Sequence, residues 1–379
     1  MRNIGFAVDL GSTTIDTCLI DIDSGVRLAE KSFKNRQSLY GGDVINRIYT
    51  VIRDRTYLVK LKALVVEDLA QAFTEMIDTI NETLADVSVN MMCICGNTTM
   101  ISILMEYDLD GLGEYPFTHK LTKSVRCMTD EIFGESFPVS CEVILSGCAS
   151  AFIGGDILSG LVHLGNVREY LFDDEHTSLL LDFGTNGEMV LNHKGNYYAT
   201  STACGPAFEG CTRKQHVYGS GTIDALALGI KTGNISRDGV LGPAYFDRGL
   251  DIQGVHLDMD IIRQILPAKA AIYTGISFLL EEAGVGTDDI DKVYLAGGFG
   301  FYLNVRSAID IGLLPKAFCN KTITVGNTSL LGACDILRSM DDYNRLESYT
   351  EQDTIKVLQL AEREQYQNRL LENMSFYVR

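Results

Sequence analysis

Two short stretches limit what this chain can fold into more than anything else in it. The first is Ile4-Gly5-Phe6-Ala7-Val8-Asp9-Leu10-Gly11-Ser12-Thr13-Thr14, and the second is Leu179-Leu180-Leu181-Asp182-Phe183-Gly184-Thr185-Asn186-Gly187-Glu188. Each is an apolar run that closes on Asp-x-Gly and small polar residues, then leads into a second apolar run, at 15–20 and 189–191. That pattern predicts a buried strand, a tight turn and a returning strand. Gly11 and Gly184 allow a ligand close to the backbone. Ser12, Thr13 and Thr14 in the first turn, with Thr185 and Asn186 in the second, set polar side chains and turn N–H groups where phosphate oxygens bind. Asp9 and Asp182, at the strand ends, suit Mg²⁺ held through water. A single turn of this kind is an ordinary hairpin signal. Two, in corresponding places, predict phosphate-gripping hairpins that face each other across a cleft.

The flanking segments repeat one plan. Strands are expected over 5–10, 15–20 and 26–33, helices over 44–53 and 60–84, and a strand over 91–95 that ends in Gly96-Asn97-Thr98-Thr99. The second half has strands over 179–182, 188–193 and 196–201, and a helix over 259–283 with Pro267 as a kink or register break. A strand over 292–295 follows, ending in Ala296-Gly297-Gly298-Phe299-Gly300. Such internal duplication marks the actin-like ATPase architecture. The expected fold class is therefore α/β, a duplicated actin-like (ribonuclease H-like) ATPase fold with two lobes around a nucleotide cleft. A chain of 379 residues suits two cores better than one. Lobe I is expected over 1–170, with a flap subdomain near 106–141, and lobe II over 171–336. The charged tail, 337–379, is expected to be helical and to pack back on lobe I.

Charge and cysteine usage exclude several function classes. A formal net charge of −18 argues against a nucleic-acid partner, although a local nest of N–H groups with Mg²⁺ still accepts ATP. No apolar tract approaches the roughly 18 residues of a spanning helix, so no membrane association is expected. Met1-Arg2-Asn3 enters a strand at once and leaves no room for a signal peptide, which points to the cytoplasm. The ten cysteines contain no Cys-x-x-Cys pair and no ferredoxin spacing, so no iron–sulfur cluster is expected. Cys18, Cys93, Cys95 and Cys334 lie in apolar or small-residue runs and read as buried thiols. So many free thiols fit a reducing, anaerobic cytoplasm.

Four further groups are candidates. Gly297, Gly298 and Gly300 leave room for adenine and ribose against the backbone, or else make a tight strand-to-helix turn. Asp156, opening a helix after Gly154-Gly155, either orients or deprotonates a nucleophile or offsets the helix dipole. The run from Ser201 to Gly210 crowds hydroxyls, a thiol and a carboxylate into ten residues one hairpin after the second turn. There Gly205 and Glu209 are candidates for the nucleotide or Mg²⁺, and Ser201, Thr202 and Cys204 for a partner or substrate; the alternative is a plain surface turn. Lys269 is either a cation near the adenosine or a snorkelling lysine.

Taken in order, these segments resemble the ATP-dependent reductive activators of corrinoid proteins, a branch of the actin-like, sugar-kinase and heat-shock-chaperone ATPase superfamily. Beyond the two hairpins, the resemblance is carried by Asn35-Arg36-Gln37, residues 40–48 around Gly42-Asp43-Val44, Gly96 to Met100 and Pro116-Phe117. It continues through Ser201 to Gly210, residues 219–224, 268–272 and 296–300, and Gly326-Asn327-Thr328. The Asn-x-Gln…Gly-Asp-Val and Gly-Pro-Ala-Phe-Glu-Gly segments are its most specific parts. The resemblance implies ATP-driven return of an oxidised Co(II) corrinoid to Co(I), with a corrinoid protein or methyltransferase as partner. A side chain of the 201–209 loop would then approach the cobalt. Family members usually carry a ferredoxin module, and this chain shows no cluster motif, so a ferredoxin-type donor in trans is expected, with a homodimer left open. The passage between Gly210 and Gly219 is short for the family, which alters or removes a docking surface. Two alternatives stand beside this activity: a small-molecule kinase with Asp156 as base, and a nucleotide-dependent regulatory module without redox work.

Overall fold

The computed structural model describes residues 2–81, 87–203 and 219–377. Two compact units divide the chain: 1–167 with 328–355, and 168–327 with 356–379.

The first unit is built on a six-stranded sheet. An antiparallel meander forms from β1 (Arg2–Leu10), β2 (Thr14–Asp21) and β3 (Arg27–Lys34). Next to β1 lies β4 (Val87–Gly96) and next to that β6 (Glu142–Leu145), each parallel to the strand before it, and β5 (Val125–Met128) closes the edge antiparallel to β6. The order is β3-β2-β1-β4-β6-β5. Part of the passage expected as a flap, 106–141, is thus a strand of the sheet. Strand β1 has buried residues at 4–8, the continuous apolar run of a strand covered on both faces. The helix Thr56–Asn81 covers one face through Val65, Leu69, Phe73 and Met76. The helices Gly155–Asn166 and Thr328–Arg338 pack together so closely that a side chain at Gly332 would strike the Ser159 backbone.

The second unit repeats the order. An antiparallel meander of β7 (Thr177–Phe183), β8 (Gly187–His193) and β9 (Asn196–Thr202) is extended from β7 by parallel β12 (Lys292–Ala296) and β13 (Thr322–Gly326), while β10 (Leu250–Ile252) and β11 (Val255–Leu257) make a separate antiparallel pair. In the full order, β13-β12-β7-β8-β9-β14, the first five strands match β6-β4-β1-β2-β3 of the first sheet; the short β14 (Ile355–Val357) is added beyond β9, and β5 has no counterpart among the described residues. Two duplicated sheets, each starting from an Asp-ended strand, bear out the expected fold class. The helix Met259–Ala283 covers this sheet and runs continuously through Pro267, so the expected break there does not end it. Asp258 caps its first turn by accepting from the Ile261 N–H at 2.8 Å, and Gly284 ends it in the left-handed region.

The tail, expected as one segment over 337–379, is shared: residues up to 355 belong to the first unit and those from 356 to the second. Among the described residues no helix is long and apolar enough to cross a membrane.

Candidate functional site

In the first unit the candidate groups gather at the carboxyl ends of the parallel strands, where ligands sit in open α/β sheets. Leu10 at the end of β1 is in register with Gly96 at the end of β4, and Ile94 with Leu145 of β6. The hairpin turn 11–14 leaves β1 here. A side chain at Gly11 would strike the Thr14 carbonyl oxygen, so the tightness of the turn requires glycine. Asp9, half-buried one residue inside the strand end, accepts a hydrogen bond of 2.8 Å from Ser329 Oγ.

Buried polar side chains hold this turn from behind. Asn35 Nδ2 donates to the Gly11 carbonyl at 2.9 Å, and the Asn35 backbone N–H donates to the Thr13 carbonyl at 2.9 Å. Arg47 Nη2 donates to the Ser12 carbonyl. Three successive carbonyls therefore face the clamp. The one cis peptide bond among the described residues is Tyr115–Pro116, so the peptides of the turn are trans. In a trans peptide the C=O and the next N–H point in opposite directions, so the amides of Ser12, Thr13 and Thr14 are directed away from the clamp. Amides turned outward at a tight turn make an anion-binding concavity.

Asp156 opens the helix Gly155–Asn166 against the turn that follows β4. A Cβ at Gly154 would lie 2.5 Å from Asn97 Cα, and one at Gly155 would strike Ser146 Oγ, so the two glycines admit this contact. Asp156 Oδ1 accepts from the Ile157 N–H at 2.9 Å. Burial nevertheless pushes its carboxyl up to about 6. The same region holds Ser146 Oγ, buried and without a hydrogen-bond partner among the described residues.

In the second unit the turn 184–186 joins β7 to β8, closed by the Gly184 N–H donating to the Asn186 carbonyl at 3.0 Å. One row of residues crosses four strands here: Ala296, Asp182, Glu188 and Ser201. Ser201 Oγ lies 3.5 Å from Glu188 Oε1, and buried Thr202 Oγ1 donates to the Gly187 carbonyl at 3.4 Å. Ser201 and Thr202 thus stand at the base of the second hairpin. Gly297 follows β12 at φ 78°, where a Cβ would collide with Asp182 Oδ1 and lie 2.6 Å from the Phe183 carbonyl oxygen. Gly298 is exposed, with nothing among the described residues within 4 Å of its Cβ position, and Gly300 is buried against Phe183.

Lys269 is placed differently. It is 2 % exposed, and its Nζ donates to the Asn373 carbonyl at 3.0 Å and the Ser375 carbonyl at 2.7 Å. Its ammonium latches the C-terminal segment and does not snorkel to the surface. Cys204, Gly205 and Glu209 lie outside the described residues. Cys18, Cys93, Cys95 and Cys334 are buried, as expected. The hydrogen bond with Cys95, together with burial, pushes the Cys93 thiol up, and burial pushes Cys148 up to about 12, which makes both inert.

Sequence reasoning did not single out Glu188, Ser329 or Arg47, which the fold places against Ser201, Asp9 and the Ser12 carbonyl. Arg47 carried a local signal: with Ile48 and Val51 it occupies the buried stripe of the helix Val44–Arg53, an unusual place for a charge.

A duplicated sheet whose first strand in each half ends in Asp-x-Gly defines the actin-like ATPase class. The family description "RACo middle region" matches residues 4–168, and "C-terminal domain of RACo the ASKHA domain" matches 176–215 and 211–379. The chain therefore belongs to the RACo family. It is 30% identical to the corrinoid activation enzyme RamQ of Eubacterium limosum over 89% of its own length and 65% of that protein's. A Methanosarcina barkeri Co(II) methylated amine-specific corrinoid protein reductase is 23% identical, over 99% of this chain and 77% of its own. Among solved structures, a reductive activator for corrinoid, iron-sulfur protein has a TM-score of 0.84 at 27% identity, covering 99% of this chain and 66% of that one. The chain thus spans about two thirds of the length of RamQ and of that activator.

Proposed function

We propose that this chain binds and hydrolyses Mg-ATP to assist the reduction of a corrinoid protein from Co(II) to Co(I). The observation that carries the proposal is the repeated Asp-ended hairpin, at the same place in two sheets that share a five-strand order, in a member of the RACo family. Each unit contributes one phosphate turn, 11–14 and 184–186. The half-buried carboxylates of Asp9 and Asp182 are hard oxygen donors that fit a water-bridged Mg²⁺. When bound there, Mg²⁺ would neutralise charge on the phosphates. Asp156, with its raised pKa, is suited to accept a proton from the attacking water. Gly298, open on its Cα, is where adenosine would approach the backbone, and Ser201 and Thr202 are offered to a partner.

In the balanced step, ATP and water give ADP and phosphate, while one electron from a reduced ferredoxin-type donor converts Co(II) to Co(I). The binding energy of the nucleotide shifts the corrinoid toward a reducible state through conformational change. The proposal is tested by incubating the protein with a Co(II) corrinoid protein and titanium(III) citrate, and following Co(I) by visible absorbance. Co(I) formation that requires ATP, together with hydrolysis accelerated by the corrinoid protein, is expected. Asp9→Ala and Asp182→Ala should each weaken Mg-ATP binding by calorimetry while leaving the fold intact. Normal affinity in both variants, or a phosphorylated metabolite in place of Co(I), would refute it.

A further inference from the structure

We infer that Arg47 is a positioning residue for nucleotide phosphate, acting through the first hairpin both as a mechanical clamp and as a buried positive charge behind it. The inference rests on the phosphate-binding role proposed for residues 11–14.

Arg47 is fully buried. Its donors go to neutral oxygens: Nε to the Gly41 carbonyl at 3.0 Å, Nη1 to Gln37 Oε1 at 3.2 Å, and Nη2 to the Ser12 carbonyl. Nη1 also lies 3.1 Å from the Met100 sulfur. Among the described residues no carboxylate bonds to it; Asp43 is the acid acting on it through space, and the Asp43 carboxylate already accepts two hydrogen bonds from Asn46 at 2.8 Å. Gln37 is itself held, its Nε2 donating to the Leu61 carbonyl at 2.8 Å and its N–H to Asn35 Oδ1 at 2.9 Å. Asn35, Gln37 and Arg47 therefore form one buried relay from the helix Thr56–Asn81 to the carbonyls of the turn.

A buried guanidinium that bonds, among the described residues, to neutral oxygens and a thioether sulfur is costly unless something uses its charge. An anion on the outward amides of the turn would use it. The guanidinium stands behind the Ser12 peptide and the phosphate would stand in front, separated by two hydrogen bonds and a peptide group, about 8 Å. At an effective dielectric of about 20, unit charges that far apart change an equilibrium by roughly 30-fold. The effect grows with the number of phosphates, whereas a purely mechanical role would not.

The test is a binding series with adenosine, AMP, ADP and ATP, by calorimetry on the full chain. Arg47→Gln is expected to lose roughly 30-fold in ATP affinity, less for ADP and AMP, and almost nothing for adenosine. Arg47→Lys keeps the charge but not the fork, so it should keep the rise from adenosine to ATP and lose less ATP affinity than Arg47→Gln. Equal losses for all four ligands in Arg47→Gln, or a flat series in Arg47→Lys, would overturn the inference. The lysine variant decides alone if the glutamine variant does not fold. If the unaltered protein binds no ATP, the nucleotide role itself fails and the inference with it. ATP binding by the unaltered protein, with the series unchanged in Arg47→Gln, removes only the inference.

Discussion

Two adjacent glycines provide the sharpest test of the second hairpin. Gly297 sits at φ 78°, and a Cβ there would collide with Asp182 Oδ1 and approach the carbonyl carbon and oxygen of Phe183 to 2.7 and 2.6 Å. Holding an L side chain in the left-handed region costs roughly 1–2 kcal/mol. Relieving backbone overlaps that short requires β7 and β12 to part locally, for about 1–3 kcal/mol more. Gly297→Ala should therefore lose roughly 2–5 kcal/mol. Because Asp182 is one of the atoms displaced, Mg-ATP affinity should fall with it. Gly298, one residue on, has nothing among the described residues within 4 Å of its Cβ position and lies in the helix Gly297–Tyr302. Gly298→Ala should be neutral or stabilising by about 0.5–1 kcal/mol. If adenosine packs on that backbone, the same substitution should weaken ATP binding at undiminished stability. Urea unfolding and calorimetric ATP titration of both variants settle the matter. Equal stability for the two would refute the steric reasoning at Gly297, and unchanged ATP affinity in Gly298→Ala would refute the adenosine contact.

Asp156→Asn should lower ATP hydrolysis at least about 100-fold and remove the acid limb of the rate profile near pH 6. The carboxyl's folded pKa stands above its ordinary value near 4, so its contribution to stability is present below about pH 4 and lost as pH rises through about 6. The variant should accordingly gain on the unaltered protein across that window in urea unfolding, and a gap independent of pH would count against the raised pKa. Lys269→Met should cost roughly 1–3 kcal/mol and open the C-terminal segment to proteolysis, since the carbonyls of Asn373 and Ser375 lose a buried donor. ATP affinity should hold; a loss of affinity at full stability would place Lys269 at the nucleotide after all.

Much of the architecture was legible because it is written locally. Alternation and apolar runs mark β1, β2, β7 and β8, and glycine after aspartate marks the turns between them, since both depend on residues a few positions apart. The repeat was visible for the same reason. The edge strand Val125–Met128 was not: it is four residues long, with burial alternating between half-buried and exposed, and its pairing with β6 supplies what its own sequence does not. Lys269 shows the same limit at a single residue. A lysine in an apolar helix stretch is ambiguous until its acceptors are known, and these lie more than a hundred residues away at Asn373 and Ser375.

What the chain alone determined was where its strands end and which short polar turns follow them, because backbone conformation and side-chain period are set by near neighbours. Only the folded molecule decided which distant groups stand behind those turns. Ser329 meets Asp9 across 320 positions, and Arg47 reaches Ser12 across 35. Buried polar groups take whatever partner three-dimensional packing brings within hydrogen-bond reach, and separation along the chain carries no record of that choice.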